Sequence, residues 1–422
     1  MKIAIVGTGI AGNVVARALH AAHEITLYEQ AHHIGGHAHT HDVERFGRHY
    51  AIDTGFIVFN DRTYPNFVAL LDQLGVGSQQ SSMSFSVRDE TLGLEYNGTS
   101  LNALFAQRRN LLRASFLGMV RDILRFNREA PELLQRPGEE LPLGTVLARG
   151  RYGRAFIEHY VVPMGAAIWS TDPARMLEFP ARFFVRFLHN HGMLTINERP
   201  TWRTIRGGSA RYVERLTAPF RHRIRLDTAV ESIRRIPGGA ILKANGFEPA
   251  RYDAVFLACH SDQALRVLAD PSPSERDVLS AIPYQTNEAV LHTDARLMPR
   301  RRLAWAAWNY HVAPGALGPI GLTYNMNILQ KLDSPEPLLV TLNRAEAIDP
   351  AKIIKRLVYH HPLFTPESIT AQARQAEINR GRRTYFCGAY WRNGFHEDGV
   401  VSALAALEHF RSDTASDQCQ AA

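Results

Sequence analysis

Cysteine is scarce: Cys259, Cys387 and Cys419 are the only three in 422 residues, and they lack metal-ligand spacing. That excludes a disulfide framework and a zinc site as organising features. Long hydrophobic runs are missing as well, with no stretch of about eighteen apolar residues, so no membrane-spanning helix is expected. The chain opens on Lys2-Ile3-Ala4-Ile5-Val6, a buried-strand pattern without the apolar stretch and cleavage site of a secretion signal. The cytoplasm is the expected compartment. Lysine is also rare, so the net charge of +7 and the pI near 9.4 come almost wholly from arginine. Such a balance attracts nucleic acid, anionic lipid or acidic substrates, or it reflects genomic composition alone. No nucleic-acid partner is expected, and neither an internal repeat nor a low-complexity segment occurs.

What is present reads as a globular chain, 45% hydrophobic and 21% charged, long enough for two interleaved domains. Residues 2–6 read as a strand, 10–22 as a helix and 24–28 as a second strand ending at Glu29, a βαβ unit of the expected length. Strand-like stretches recur at 48–52, 223–226, 230–236, 240–244, 254–259 and 384–388, with a closing helix over 399–411. The material between differs. The spacing predicts helices over 101–129, 180–190 and 349–358, and alternation predicts strands over 284–293, 303–312, 319–325 and 337–343. The end, 412–422, is small and polar and is expected to fray.

Gly7-Thr8-Gly9-Ile10-Ala11-Gly12 fits G-x-G-x-x-G between that first strand and first helix. The three glycines serve a tight turn, close approach of backbone to a diphosphate, and packing of helix on strand. The helix start, at Ile10 and Ala11, offers free N–H groups and a positive dipole end to an anion. Glu29, twenty residues after Gly9, is placed to accept hydrogen bonds from ribose hydroxyls and to repel a 2′-phosphate, with Gln30 beside it. This context raises a weak motif to a strong one for dinucleotide binding.

Further along come Ile34-Gly35-Gly36-His37 and Ala51-Ile52-Asp53-Thr54-Gly55-Phe56. Near the C-terminus stand Tyr385-Phe386-Cys387-Gly388-Ala389-Tyr390 and Gly394-Phe395-His396-Glu397-Asp398-Gly399-Val400-Val401-Ser402-Ala403. Together with Gly207-Gly208-Ser209 and Thr228-Ala229-Val230, these segments resemble the flavin-containing amine oxidase superfamily along the whole chain. The resemblance implies FAD, and it implies an α/β fold. A Rossmann-type FAD-binding domain (amine oxidase / p-hydroxybenzoate hydroxylase-like) would carry an inserted α+β substrate domain. The FAD-binding domain would comprise 1–76, 200–282 and 380–411, the substrate domain 77–199 and 283–379, and 412–422 a flexible tail. Cofactor contacts implied are Gly7, Gly9, Ile10, Ala11, Gly12, Glu29, Gln30, Gly35, Gly36, His37, Thr54, Gly55, Phe56, Val230, Gly388, Phe395, His396, Glu397, Asp398 and Val400.

Three positions depart from that pattern. His37 stands where the family usually has arginine, which makes contact with the diphosphate weaker or pH-dependent. Ala389 takes a usually acidic place. Phe395 stands where amine oxidases often have a flavin-facing tyrosine, and it is either an apolar wall favouring a hydrocarbon substrate or simple core packing. Glu397 and Asp398 would stabilise a helix start whatever else they do. His37, His39 and His41 alternate, which suits an imidazole face near the cofactor better than a metal, and no metal is expected.

The stretches 167–171, 179–181, 290–294, 305–310, 323–327 and 394–399 resemble more closely the small flavoproteins similar to the N-terminal region of plant cyclopropane fatty acid synthases. That likeness implies oxidation or desaturation of a fatty acyl chain of a phospholipid, by hydride transfer to flavin. It also implies pairing with a cyclopropane-fatty-acid-synthase-like methyltransferase. Over 101–129, apolar positions interleave with Arg108, Arg109, Arg113, Arg121, Arg125 and Arg128 against only Asp122 and Glu129. Such a helix either lies peripherally on an anionic inner membrane face or packs its apolar side inward with its arginines solvated. If a proton leaves with the hydride, His37, His292 and Tyr324 are the candidate bases, and Phe395 shapes the site. The rivals are an oxidase of small amines and a non-catalytic lipid carrier of the same fold.

Overall fold

The structure, a computed structural model, describes residues 1–135, 140–195, 199–312 and 321–421. Five parallel strands form the first sheet, in the order Ile224–Arg225, Glu24–Tyr28, Lys2–Val6, Ala254–Leu257 and Thr384–Phe386. Strands from three distant parts of the chain thus meet in one layer. The period of two in Lys2–Val6 divides its side chains between two cores. Ile3 and Ile5 face helices Ile10–Leu19, Pro65–Leu74, Ala210–Thr217 and His396–Ala421. Ala4 and Val6 face an antiparallel three-stranded layer, Val230–Ile236, Gly239–Ala244 and Ala250–Tyr252. Burial on both faces is why these strands read as continuous apolar runs.

A second sheet has seven strands in the order Ile353–Pro362, Tyr284–His292, Leu339–Leu342, Gly321–Asn325, Trp308–Val312, Phe85–Asp89 and Leu94–Asn97. Only Trp308–Val312 and Phe85–Asp89 run parallel; the remaining pairs are antiparallel. One large core joins this sheet to helices Ala114–Glu129, Val162–Trp169 and Ala181–Asn190. Phe395 packs against that core and against the core of the first sheet, so it marks where the two halves meet.

Several expected elements change. Residues 349–358, expected as a helix, form a short turn Pro350–Lys352 and then the edge strand Ile353–Pro362. Cross-strand pairing with Tyr284–His292 along its whole length overrides a helical spacing of apolar residues. The expected helix over 101–129 is three pieces, Leu101–Leu104, Arg108–Leu112 and Ala114–Glu129. Gln107 breaks it by turning its side chain to the Glu95 N–H (3.1 Å) and the Gly93 carbonyl (3.0 Å). The strands Phe85–Asp89 and Leu94–Asn97 and the helix Pro65–Leu74 were not expected from the pattern. The closing helix runs His396–Ala421, through the segment expected to fray. Asp413 ties it down by accepting from Gly381 N–H and Tyr385 O–H, each at 2.9 Å. Residues 319–320 of one expected strand lie outside the described residues. Among the described residues no helix is long and apolar enough to cross a membrane.

Candidate functional site

The site begins where the central strand Lys2–Val6 ends. Gly7 turns the chain with φ +100°, and a side chain there would meet the Ala258 carbonyl at 2.8 Å. At Gly12 a Cβ would lie 2.0 Å from the Gly7 carbonyl oxygen, so helix Ile10–Leu19 leaves the strand at contact distance. No side chain caps this helix and no acid sits in its first turn, so its first N–H groups and dipole remain available to an anion. The Ile34–Gly36 loop folds over the turn. Gly35 N–H donates to Thr8 O at 3.0 Å, and a Cβ on Gly36 would lie 3.2 Å from the Gly9 Cα. Glu29 accepts from Thr8 N–H (2.9 Å), Thr8 Oγ1 (2.7 Å) and Ala31 N–H (2.9 Å), which fixes its carboxylate beside the loop. Gln30 is exposed next to it. The turn before Val230 joins the same corner, with Thr228 N–H donating to the Glu29 carbonyl at 2.8 Å.

The C-terminal motif closes the other side. A Cβ on Gly399 would be 2.6 Å from Ile10 Cγ2, so the start of helix His396–Ala421 rests directly on the start of helix Ile10–Leu19. Gly388 N–H donates to Ser402 Oγ (2.8 Å), and Val400 is buried in the core below. His396 shares a 2.6 Å hydrogen bond with the Tyr212 hydroxyl and stacks on Phe56 at 3.6 Å. Phe56 N–H donates to the His37 carbonyl (2.6 Å), and a side chain on Gly55 would lie 2.3 Å from that oxygen. These contacts gather the glycine loops, His37, Thr54, Gly55, Phe56 and His396 in one place. Glu397 and Asp398 point elsewhere. Glu397 accepts from Asn66 N–H (3.1 Å), Asn66 Nδ2 (2.6 Å) and Phe67 N–H (2.9 Å), capping helix Pro65–Leu74. Asp398 accepts from Phe395 N–H at 2.9 Å, and burial pushes its carboxyl up to about 6.

Facing the loops is a wall of imidazoles. His33 stacks on His39 at 3.9 Å, and His39 lies 4.1 Å from His41. His37 lies 5.1 Å from Tyr359 and 5.4 Å from His361, while His260 stacks on Tyr284 at 4.3 Å and meets His360 at 6.1 Å. Tyr359 hydroxyl and Thr54 Oγ1 share a 2.6 Å hydrogen bond, with His41 Nε2 at 3.1 Å from the same threonine. Burial, followed by neighbouring imidazoles, lowers His37 to about 4 and His260 and His361 to about 3. Burial likewise lowers His396 to about 3 and raises Tyr359 to about 12. His37, His260, His361 and His396 are therefore neutral at pH 7. His37 Nε2 is buried without a hydrogen-bond partner, directly after the glycines that cover the dinucleotide turn. An uncapped helix start and a glycine cradle together fit a diphosphate-bearing dinucleotide. Among the described residues no group of three or more His, Cys, Asp or Glu could hold a metal ion.

Two expected bases fare differently. His292 is bonded to Thr341 Oγ1 (2.7 Å) and to Asp294 N–H (3.0 Å) at the far end of strand Tyr284–His292. Eight residues of strand separate it from Tyr284, about 26 Å at the usual rise, and both of its ring nitrogens are engaged. Tyr324 lies edge-on to Trp308 at 5.3 Å, between two apolar cores of the seven-stranded sheet, and burial raises its hydroxyl. Of the wall, sequence reasoning caught only His37, His39 and His41. His260 follows the end of a parallel strand, where ligands of α/β sheets bind, and that signal was available. His360 and His361 were hidden because their strand read as a helix over much of its length.

Phe395 follows Gly394, whose φ is +90°, and stacks on Phe187 at 5.1 Å. Phe187 belongs to an aromatic run through Trp169 (4.9 Å), Phe179 and Phe183, the last stacked on Phe364 at 5.2 Å. Beside Phe395 opens a cavity of about 430 Å³, lined among others by Tyr64, His189, Asn190, Arg392, Val401 and the two acids Glu397 and Asp398.

The family model described as flavin containing amine oxidoreductase matches residues 10–306. Among curated proteins no match is found. Among solved structures, cyclohexylamine oxidase from Brevibacterium oxydans is similar at 15% identity and TM-score 0.68, covering 97% of this chain and 99% of that one. Putrescine oxidase bound to putrescine is similar at 14% identity and TM-score 0.67, over 97% and 99%. The fatty acid isomerase of P. acnes is similar at 17% identity and TM-score 0.66, over 97% and 98%. These likenesses extend to nearly the full length of each chain and show a common fold.

Proposed function

This chain belongs to the flavin-containing amine oxidoreductase family, and we propose that it uses FAD to oxidise a fatty acyl chain of a phospholipid. The observation that carries this reading is the character of the surface between the glycine loops and Phe395. Its side chains are chiefly phenyl rings, phenols and imidazoles held neutral by burial, and the two carboxylates that line the cavity beside Phe395 are engaged by the protein's own N–H groups, Glu397 by Asn66 and Phe67 and Asp398 by Phe395. Such a surface favours a hydrocarbon and excludes water. The P. acnes relative, by its name a fatty acid isomerase, adds an acyl-chain precedent on the same fold.

FAD, when bound, supplies a hydride acceptor. The Gly7–Gly12 loop and the start of helix Ile10–Leu19 would hold its diphosphate, and Glu29 its ribose. Desaturation removes a hydride and a proton from adjacent carbons. His37, neutral at pH 7 and with Nε2 free of partners, is the group that accepts the proton. Phe395 and Phe187 align the chain, and alignment is most of what C–H oxidation asks of a protein. The reading pairs this protein with a cyclopropane-fatty-acid-synthase-like methyltransferase that modifies the same acyl chains.

Lipid profiling of cells with and without the gene tests it. The expected result is an acyl species two hydrogens lighter that appears only with the gene. Unchanged acyl chains, together with turnover of a small amine by the pure protein, would overturn the acyl reading in favour of an amine oxidase.

A further inference from the structure

On the outer side of the substrate half, two segments about two hundred residues apart form one face. We propose that this face, made of Leu101–Leu104, Arg108–Leu112 and residues 300–303, docks on an anionic lipid bilayer.

The leucines are the first reason. Leu101 is 77% exposed and Leu112 91%, and Leu111 and Leu303 are exposed beside them. Single exposed leucines are ordinary on a protein surface, but several on one face mark a contact surface. They are not leftovers of an unfinished core. Ala103, Phe116, Met119 and Phe126 from the same stretch are buried, so the segment turns one apolar set inward and holds another out.

The arginines are the second reason. Arg108 donates to Asn102 Oδ1 and to the Phe105 carbonyl, Arg109 to the Gly93 carbonyl, and Arg113 to the Leu92 carbonyl. Neutral acceptors hold these guanidiniums in place without cancelling their charge. Arg300, Arg301 and Arg302 come to the same face because Glu95, itself buried, accepts the Arg300 and Arg301 N–H groups at 2.8 and 3.1 Å. The turn Arg302–Ala304 then packs against Leu101–Leu104. Among the described residues none of Arg108, Arg109, Arg300, Arg301 or Arg302 has an acidic partner within ion-pair distance. Unpaired guanidiniums around protruding leucines match phosphate headgroups above an acyl layer. A nucleic acid would engage the arginines and leave the leucines without a use.

The proposal rests on the acyl-chain reading for its purpose, which is to bring the enzyme to its substrate, but its test reads binding alone. Flavin-loaded, full-length protein is sedimented with phosphatidylcholine vesicles, with and without phosphatidylglycerol, at low and high salt. Binding is expected only to the anionic vesicles and is expected to weaken with salt. Replacing Arg301→Gln and Arg302→Gln should lower affinity about fivefold per residue. The pair Leu111→Ser and Leu112→Ser should lower it about tenfold, with flavin spectrum and melting temperature unchanged. Wild-type protein left in the supernatant overturns the proposal. So do leucine variants that bind like wild type, which would indicate a purely electrostatic surface of the kind that suits a nucleic acid. Vesicle binding with unchanged acyl profiles would retire the acyl reading and leave the docking face standing.

Discussion

On the glycine side of the site, backbone atoms approach one another because side chains have been removed. On the imidazole side, large side chains fill the space and hold one another neutral. The first side is tightest at Gly12, Gly55 and Gly399, where a Cβ would fall 2.0 to 2.6 Å from a neighbour. The second side is built from rings 3.9 to 6.1 Å apart, contributed by the loop at 33–41, by His260 and by strand Ile353–Pro362. Geometry specifies the cofactor, and environment specifies the chemistry beside it. The glycine side should therefore fail on a change of one methyl group, and the imidazole side on a change of protons.

The sharpest break expected is Gly12→Ala. Its Cβ has nowhere to go beside the Gly7 carbonyl, so we expect protein without a flavin visible band, destabilised by about 3 kcal/mol. Retention of bound flavin by this variant would mean that the helix does not leave the strand as described.

Acid should act next, and on the other side. His37 and His41 titrate near 4 in the fold, and His39, His260, His361 and His396 near 3, all below the 6.5 of an unfolded histidine. The unfolded chain therefore binds more protons between those values, and stability is lost as pH falls below 6.5. Asp53 and Asp398, raised to about 6 by burial, work in the opposite direction between pH 6 and 3.8. His191, His292 and His311, also lowered to about 4, add to the same side, so the lowered histidines outweigh the two raised carboxyls and melting temperature should fall steadily from pH 7 to pH 4.5. A flat profile there would show that the histidines are not buried in this way.

Glu29→Ala removes the acceptor of two Thr8 donors and one backbone N–H. FAD affinity measured by release of fluorescent flavin should fall at least tenfold, corresponding to about 1.5–3 kcal/mol for charged hydrogen bonds. Phe395→Leu keeps the volume apolar but loses the stack on Phe187, worth about 1 kcal/mol. It should slow the proposed acyl oxidation while the flavin spectrum persists. Smallest is Glu397→Gln, which weakens the cap on Asn66 and Phe67 by about 1 kcal/mol. Loss of flavin from this variant, with its fold intact, would return Glu397 to the cofactor site.

The βαβ unit was legible because its signals are local: an apolar strand, glycines at fixed spacing and an acid at the next strand end. The strands at 230–236 and 284–293 were legible through alternation alone. His360 and His361 were not, since the pairing that makes their segment a strand comes from Tyr284–His292, some seventy residues away. His292 illustrates the reverse. Its residue type suggested chemistry, while the structure puts it at the end of the strand opposite Tyr284, bonded to Thr341 and Asp294.

By itself the sequence pointed to a dinucleotide, because a turn, a helix start and a ribose acceptor are all encoded within the first thirty residues. It also determined that a second glycine-bearing motif closes that site. Only the tertiary structure decided which histidines stand opposite, that Glu397 and Asp398 serve helix ends, and that the turn Arg302–Ala304 packs against Leu101–Leu104. Those outcomes depend on contacts between residues far apart in the chain, and no local spacing records them.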